Sequence, residues 1–157
     1  MKYPERYIDH EAGRQALALV APLLERGATD PAIGQSGVLY AVVMNPARRH
    51  GTCSFEDAIL VEQSFGKARS AWDADYADFA RKKAKASWLT GEESGSDRAA
   101  EFWRKESGTG PLGGGVALEG IVVGVSGADP VYDEALAGAI AMSLRAALRM
   151  RERSGRP

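Results

Sequence analysis

The segment from residue 110 to residue 139 constrains the fold more than any other part of the chain. Residues 116–118 and 121–125 are short runs of β-prone apolar side chains separated by two turn residues, which predicts a β-hairpin. Asp129 then precedes Pro130, a pair typical of the N-cap and first position of a helix. The segment therefore predicts two antiparallel strands that lead directly into a C-terminal helix.

Three successive glycines, Gly113, Gly114 and Gly115, come just before the predicted hairpin. A run without side chains lets the backbone approach either a ligand or a neighbouring segment closely. Neither the Gly-Lys-Ser/Thr sequence of a P-loop nor the glycine spacing of a dinucleotide fingerprint is present, which argues against nucleotide binding. We favour close packing as the role of these glycines and keep backbone donation to an anionic ligand as the alternative.

Helical and strand-like patterns account for most of the remaining chain. The spacing of apolar residues predicts one strand over residues 38–44 and helices over residues 9–25, 55–72, 73–89, 97–106 and 130–151. We expect Gly27 to end the first helix, which Pro22 would kink. Ser54 begins a capping signature for the second helix. Together these elements predict an α+β fold, a small antiparallel sheet flanked by helices.

Length and charge limit the classes of function. A chain of 157 residues is expected to form one domain over residues 1–157, with residues 1–8 and 152–157 frayed. Its 20 basic and 21 acidic residues leave a formal charge of −1, which predicts no nucleic-acid or membrane partner. We expect a cytoplasmic protein, because no apolar run reaches membrane-spanning length, no secretory signal is recognisable, and the single Cys53 cannot form an internal disulfide.

The clearest local concentration of positive charge is Arg48 and Arg49, which His50 follows. They lie just before the helix predicted to begin at Ser54, where free N–H groups and the positive end of the helix dipole would also favour an anion. Guanidinium groups bind carboxylates and phosphates well. A small anionic ligand is therefore the first candidate here, and an ordinary solvated loop is the alternative.

Metal and acid–base chemistry have fewer candidates. His10, His50 and Cys53 match no zinc-binding spacing, but haem needs only one axial ligand, which either histidine could supply. His50, Glu119 and Asp133 are the candidates for catalytic acid–base residues. Asp133 and Glu134 come shortly after the predicted N-cap Asp129. The simpler interpretation of Asp133 is therefore that it takes part in helix capping and complements the helix dipole.

The three tryptophans, Trp72, Trp88 and Trp103, are expected to anchor the core or a subunit interface rather than to form a cofactor cage.

The order of these motifs resembles one known family. The chain is similar to the GlcG/HbpS-like domains in two parts. The C-terminal part consists of the glycine run, the hairpin with its Glu-Gly turn and the acidic helix start. The upstream part consists of residues 37–48, residues 54–60 and the Lys-Ala-Arg-Ser-Ala-Trp sequence at 67–72. These are also called haem-degrading domains and occur at the C-terminus of PduO-type proteins. The resemblance covers residues 37–72 and 108–142. It implies a homo-oligomer with a ligand pocket near the Arg48 loop and haem as the first candidate ligand. It also implies a family motif at Lys67 and Arg69. If this motif is helical, the two side chains point in different directions and only one of them can face the pocket.

The sequence thus leads to one main hypothesis and two alternatives. The main hypothesis is a GlcG/HbpS-like oligomeric domain that binds a small anionic ligand, haem first, between the Arg48 loop, the Lys67 helix and the three glycines at 113–115. The first alternative is a haem-free enzyme of a catabolic or biosynthetic pathway that acts on a small carboxylate by acid–base chemistry. The second is a scaffold, which tryptophans exposed at a subunit face would favour.

Overall fold

The computed structural model describes residues 2–157 and contains four α-helices and four strands in that range. The helices are α1 (His10–Thr29), α2 (Tyr76–Thr90), α3 (Ala100–Ser107) and α4 (Pro130–Ser154). The strands are β1 (Val38–Met44), β2 (Ile59–Gly66), β3 (Gly115–Leu118) and β4 (Ile121–Ser126). The fold is α+β with a small antiparallel sheet, as predicted.

The strands form one antiparallel sheet in the order β2-β1-β4-β3, with helices on both faces. All seven residues of β1 are buried, because alternate side chains point to opposite helical layers. Leu39, Ala41 and Val43 pack in the core formed with α1 and α4, whereas Tyr40 and Val42 pack against α2. The sheet is therefore the central layer of three.

The predicted hairpin and C-terminal helix are confirmed. β3 and β4 pair from Leu118 opposite Ile121 to Gly115 opposite Gly124. The Asp129 carboxylate accepts a hydrogen bond from the N–H of Val131 at 3.0 Å and caps α4.

The prediction of a helix over residues 55–72 is wrong. The Ser54 hydroxyl does accept a hydrogen bond from the Asp57 N–H at 3.1 Å, but the turn that it caps ends after Ala58. The chain then extends into β2 and pairs with β1 at the edge of the sheet. Val61 and Phe65 are buried and share one face of β2, the face that packs against α1.

The ends of α1 also differ from expectation. The helix continues past Gly27 to Thr29, and Pro22 lies inside it with an exposed ring. Gly27 lies against α4, since a Cβ there would stand 2.8 Å from Cδ1 of Leu136. A small residue thus brings the two helices together instead of ending one of them.

The segment before α1 packs against the rest of the domain. Tyr3, Tyr7 and Ile8 are buried, and the Arg151 guanidinium donates a hydrogen bond to the Tyr7 carbonyl at 3.1 Å. Met1 lies outside the described residues, and α4 extends to Ser154. Within residues 2–157, no helix combines the length and the apolar character needed to cross a membrane.

A pair of facing glycines lets α2 lie directly on the sheet. Gly115 and Gly124 are opposite each other in β3 and β4. A Cβ on Gly124 would stand 2.6 Å from the Ala84 nitrogen, and one on Gly115 would meet the Lys83 carbonyl and lie 2.6 Å from the Ser87 hydroxyl. The helix backbone therefore occupies the space that two side chains would need.

We predict that Gly124→Ala lowers the free energy of unfolding by about 1–3 kcal/mol, because the added methyl group forces α2 away from the sheet. Gly138→Ala is the matched control, since Gly138 lies in α4 with open space around the position of a Cβ. Alanine should there raise stability by about 0.5–1 kcal/mol through its helix propensity. Urea unfolding measures both, and equal effects of the two substitutions would contradict the packing argument.

Candidate functional site

A cavity of about 420 Å³, which we call the Arg48 cavity, opens between three segments of the chain. One wall is the loop after β1, which contributes Arg48, Arg49 and His50. The last turn of α2 contributes Ser87 and Trp88, and the β3–β4 hairpin forms the remaining wall, chiefly through Ala117, Glu119 and Val122. The size lies within the range of about 300–1,000 Å³ that is usual for small-molecule sites.

The loop after β1 is held in place by local hydrogen bonds and by Trp88. The Asn45 side chain accepts a hydrogen bond from the Ala47 N–H at 2.8 Å. The backbone carbonyl of Asn45 accepts another from the Arg48 N–H at 3.0 Å. The Trp88 indole then donates to the Arg48 carbonyl at 2.9 Å. Trp88 also meets the His50 ring edge-to-face, with 5.4 Å between ring centroids. One aromatic side chain on α2 thus fixes both the loop and its histidine.

The two arginines carry unneutralised positive charge. Arg48 and Arg49 are exposed, and neither forms an ion pair with any acidic side chain among residues 2–157. The helix that was predicted to begin at Ser54 is not formed, because a single short turn and then β2 stand in its place. Its dipole is therefore absent from the cavity. At this wall of the cavity, attraction of an anion therefore rests on the guanidinium groups and not on a helix dipole.

Glu119 lies at the hairpin tip among three cations. Its carboxylate is 2.6 Å from Lys2 Nζ, 3.4 Å from Arg145 and 3.6 Å from Arg149. The hydrogen bond from Lys2 lowers the pKa of Glu119, which keeps the group ionised. Its backbone has a positive φ of 51°, as the tight turn before Gly120 requires. Glu119 therefore lines the cavity as an ionised, cation-bound carboxylate that is poorly suited to donate a proton.

Lys67 lies at the other end of the sheet from the Arg48 loop. It follows Gly66, which pairs with Val38 at the start of β1, whereas Arg48 comes after the end of that strand. The seven residues of β1 span roughly 20 Å at about 3.3 Å per residue. Lys67 instead lines a separate cavity of about 590 Å³. The pocket expected between the Arg48 loop, Lys67 and the glycine run is therefore not formed.

Lys67 and Arg69 also lie outside any α-helix. The chain leaves β2 at Gly66 and forms a single 3-10 turn from Arg69 to Ala71. The Arg69 guanidinium stacks over the Trp72 ring, 4.9 Å from its centroid. The helical geometry assumed for this motif therefore does not apply.

The glycine run makes room for a buried lysine. A Cβ on Gly114 would stand 2.7 Å from Cδ of Lys83. Lys83 Nζ lies 2.9 Å from the Asp133 carboxylate and also donates to the Val125 carbonyl at 3.2 Å. Both charged side chains are at most 5% exposed. Close packing, the role that we favoured for these glycines, is thus seen directly at Gly114 and Gly115.

Asp133 belongs to this buried pair instead of to the cavity. Its second carboxylate oxygen accepts a hydrogen bond from the Ala128 N–H at 2.9 Å. Burial raises the pKa of Asp133 to about 6, against the opposing effects of Lys83 and of that N–H. Through its contact with Lys83, the Asp133 carboxylate connects the first turn of α4 to α2.

The remaining candidates are distributed over the fold. Trp103 is fully buried and donates to the Ser94 carbonyl at 2.8 Å, so it anchors the core as expected. Trp72 and Trp88 are half-buried. His10 is exposed at the start of α1 and does not line the Arg48 cavity. Within residues 2–157, no three His, Cys, Asp or Glu side chains cluster as a metal site would require.

Sequence reasoning missed Ser87 and the position of Trp88. Both lie about 40 residues from Arg48 along the chain, and only the packing of α2 on the sheet brings them to the loop after β1. A buried serine in an alanine-rich helix gives no sequence signal of its own.

Comparison with solved structures supports the fold. The chain is similar to the Klebsiella pneumoniae protein ORFY, a member of DUF336, the family that corresponds to the GlcG-like domain. The two share 19% identity with a TM-score of 0.55, and the match covers 88% of this chain and 91% of ORFY. At this identity the likeness is one of fold. No family model matches the sequence, and no curated protein does.

We predict that Asp133→Asn lowers the free energy of unfolding by about 3–5 kcal/mol, because it leaves the Lys83 charge buried without a counter-charge. The double variant Lys83→Met, Asp133→Asn should recover most of that loss, since no buried charge remains. Lys82→Ala is the control on the same helix. It removes the exposed pair with Asp78 and should cost at most about 1 kcal/mol. A double variant no more stable than Asp133→Asn would contradict the desolvation argument.

Proposed function

We propose that this chain is a GlcG-like domain that binds a small anionic ligand in the Arg48 cavity. The observation that carries the proposal is the convergence of Arg48, Arg49 and His50 on a cavity of suitable size, with no acidic partner for either guanidinium among residues 2–157. The fold likeness to a DUF336 protein supports the family assignment. A carboxylate is the simplest ligand that two free guanidinium groups would bind.

The cavity offers different chemistry at its different walls. Arg48 and Arg49 would neutralise a carboxylate at the mouth, where the loop is exposed. Trp88, Ala117 and Val122 provide apolar surface for the body of the ligand. The Trp88 hydrogen bond to the Arg48 carbonyl keeps the loop in position before a ligand arrives, which reduces the ordering cost of binding.

Haem is the first ligand to test, because the donor set of the cavity suits it. His50 lines the cavity and could serve as the axial ligand, and Arg48 and Arg49 could pair with the propionates. When bound, haem would supply redox or oxygen chemistry at its iron. At about 420 Å³ the cavity is near the small end of the usual range, so it would cover only part of such a large ligand.

A haem-free enzyme acting on a small carboxylate is the alternative function. His50 and Glu119 line the same cavity, which favours this alternative over a pure scaffold. His50 would be the proton acceptor, because the hydrogen bond from Lys2 and the charge of Arg145 lower the pKa of Glu119 and make that carboxylate a weaker base. Turnover of a carboxylate that disappears in His50→Gln would support this alternative.

We predict that haemin or short carboxylates bind the wild-type protein saturably and that Arg48→Ala, Arg49→Ala weakens binding at least tenfold, because the charge that attracts the anion is lost. The control is Arg104→Ala, Lys105→Ala, which removes two exposed charges from α3 and should leave affinity unchanged. Absorbance titration follows haemin and calorimetry follows the carboxylates. Equal affinity in wild type and the Arg48, Arg49 variant would reject this cavity as the site.

The same haemin titration tests the axial ligand. We expect His50→Ala to alter the Soret band of the complex and His10→Ala to leave it unchanged, because only His50 lines the cavity. A loss confined to His10→Ala would place haem elsewhere on the protein.

We also propose that the chain forms a homo-oligomer, as the family resemblance implies. Leu19 and Leu23 lie one turn apart on the outer side of α1 and are 70% and 44% exposed, and Met142 on α4 is 48% exposed. Apolar side chains of this size are candidates for a subunit interface.

Leu19→Glu, Leu23→Glu should therefore convert an oligomer to a smaller species, because charge would be buried at the interface. Light scattering coupled to size-exclusion chromatography measures the mass. An unchanged mass in this variant, with wild type oligomeric, would exclude this face from the interface.

A further inference from the structure

A second cavity, of about 590 Å³, lies at the opposite end of β1 from the Arg48 cavity, and we call it the Lys67 cavity. It opens between the last turn of α1, the loop that leads into β1 and the end of β2. Most of the residues that line it are small or apolar, and Lys67 is the one charged side chain among the described residues there. Its volume is within the range of about 300–1,000 Å³ that is usual for small-molecule sites.

The Lys67 side chain is held over Gly37, which also lines this cavity. Lys67 Nζ lies 3.1 Å from the point where a Cβ on Gly37 would stand, so only a glycine leaves room for the ammonium group there. Lys67 is exposed and forms no ion pair with any acidic side chain among residues 2–157. A ligand that enters the cavity can therefore reach the positive charge.

The backbone N–H of Gly37 is a second donor at the same place. The Lys67 N–H donates to the Gly37 carbonyl at 2.9 Å, and a regular antiparallel ladder would have the Gly37 N–H donate back to the Lys67 carbonyl. That carbonyl instead accepts a hydrogen bond from the Trp72 indole at 3.0 Å. The Gly37 N–H donates to no acceptor within residues 2–157. An ammonium group and an unused backbone donor thus meet at one glycine.

The charge of the cavity favours a ligand with a single negative charge. Arg69, the next cation along the chain, stacks over the Trp72 ring and does not line this cavity. One lysine balances one carboxylate, whereas a phosphate monoester carries a charge of about −1.5 to −2 at pH 7. The excess charge would face a largely apolar lining, which is unfavourable. Ala28 and Pro31 instead provide a surface for a hydrocarbon chain.

We infer that the Lys67 cavity binds a monocarboxylate with an apolar body. The carboxylate pairs with Lys67 Nζ and accepts the Gly37 N–H, and the hydrocarbon chain lies along Ala28 and Pro31. This site is independent of the proposed function, because it shares no lining residue with the Arg48 cavity.

The test uses calorimetry with acetate, butanoate and hexanoate on the Arg48→Ala, Arg49→Ala variant, in which the charge of the other cavity is absent. Hexanoate should bind saturably and at least tenfold more tightly than acetate, because four more methylene groups leave water. Adding Lys67→Met should weaken hexanoate binding at least fivefold, because methionine keeps an apolar stem but loses the charge. Affinity for the neutral hexanamide should stay the same.

Amide NMR reports the location of the ligand on the same background. Hexanoate should shift the Gly37 N–H resonance downfield, as expected for a donor that gains an anionic acceptor. Lys105→Met is the matched control, since it removes an exposed lysine of α3 that pairs with Glu101. It should change neither the affinity nor the Gly37 shift. Lys67→Met should unfold at the same urea concentration as its parent, because Trp72 bonds to the backbone of Lys67 and not to its side chain.

Each of several results would overturn the inference. Hexanoate affinity that is unchanged by Lys67→Met, or no hexanoate binding on the Arg48→Ala, Arg49→Ala background, removes the site. Tighter binding of hexyl phosphate than of hexanoate contradicts the single negative charge, and equal binding of acetate and hexanoate contradicts the apolar body. None of these results touches the proposed function, which fails only if ligand binding to the wild-type protein is unaffected by Arg48→Ala, Arg49→Ala.

Discussion

The buried ion pair between Lys83 and Asp133 connects the two helical layers across the sheet. Lys83 is on α2, which covers one face, and Asp133 is in the first turn of α4, which covers the other. The lysine passes the sheet beside Gly114 and also reaches the end of β4 through the Val125 carbonyl. Because both charges are desolvated, loss of either partner would leave the other buried without a counter-charge.

The geometry of the candidate site follows from this anchor. Ser87 is one helical turn beyond Lys83, and Trp88 is the next residue, so fixing Lys83 also fixes what α2 presents at its C-terminal end. The facing glycines Gly115 and Gly124 then set the depth at which the helix lies on the sheet. Trp88 transmits that position to the Arg48 loop by a single hydrogen bond. The cavity is therefore formed by elements distant in sequence and held by a few close contacts.

Sequence alone predicted what is local and missed what is not. The hairpin, the cap at Asp129 and the strand over 38–44 have strong short-range signals, and all are confirmed. The helix predicted over residues 55–72 was wrong for a physical reason. Ser54 does cap a turn, but the segment after it forms a strand because it pairs with β1, and the local sequence pattern carries no signal of that pairing. The Arg48 loop and its cationic character were predictable. Its partners on α2 were not, because a contact 40 residues away depends on tertiary packing.

The three cations around Glu119 tie one wall of the cavity to distant parts of the chain. Lys2 comes from the N-terminal segment and Arg145 and Arg149 from α4, and all three ion pairs are at least partly exposed to solvent. Exposed charges are screened within about 8–10 Å at ordinary ionic strength. Added salt would therefore act twice on this cavity, by weakening the attraction of the arginines for an anion and by loosening the hairpin tip opposite them. Ionic strength is thus a structural variable for this protein as well as an electrostatic one.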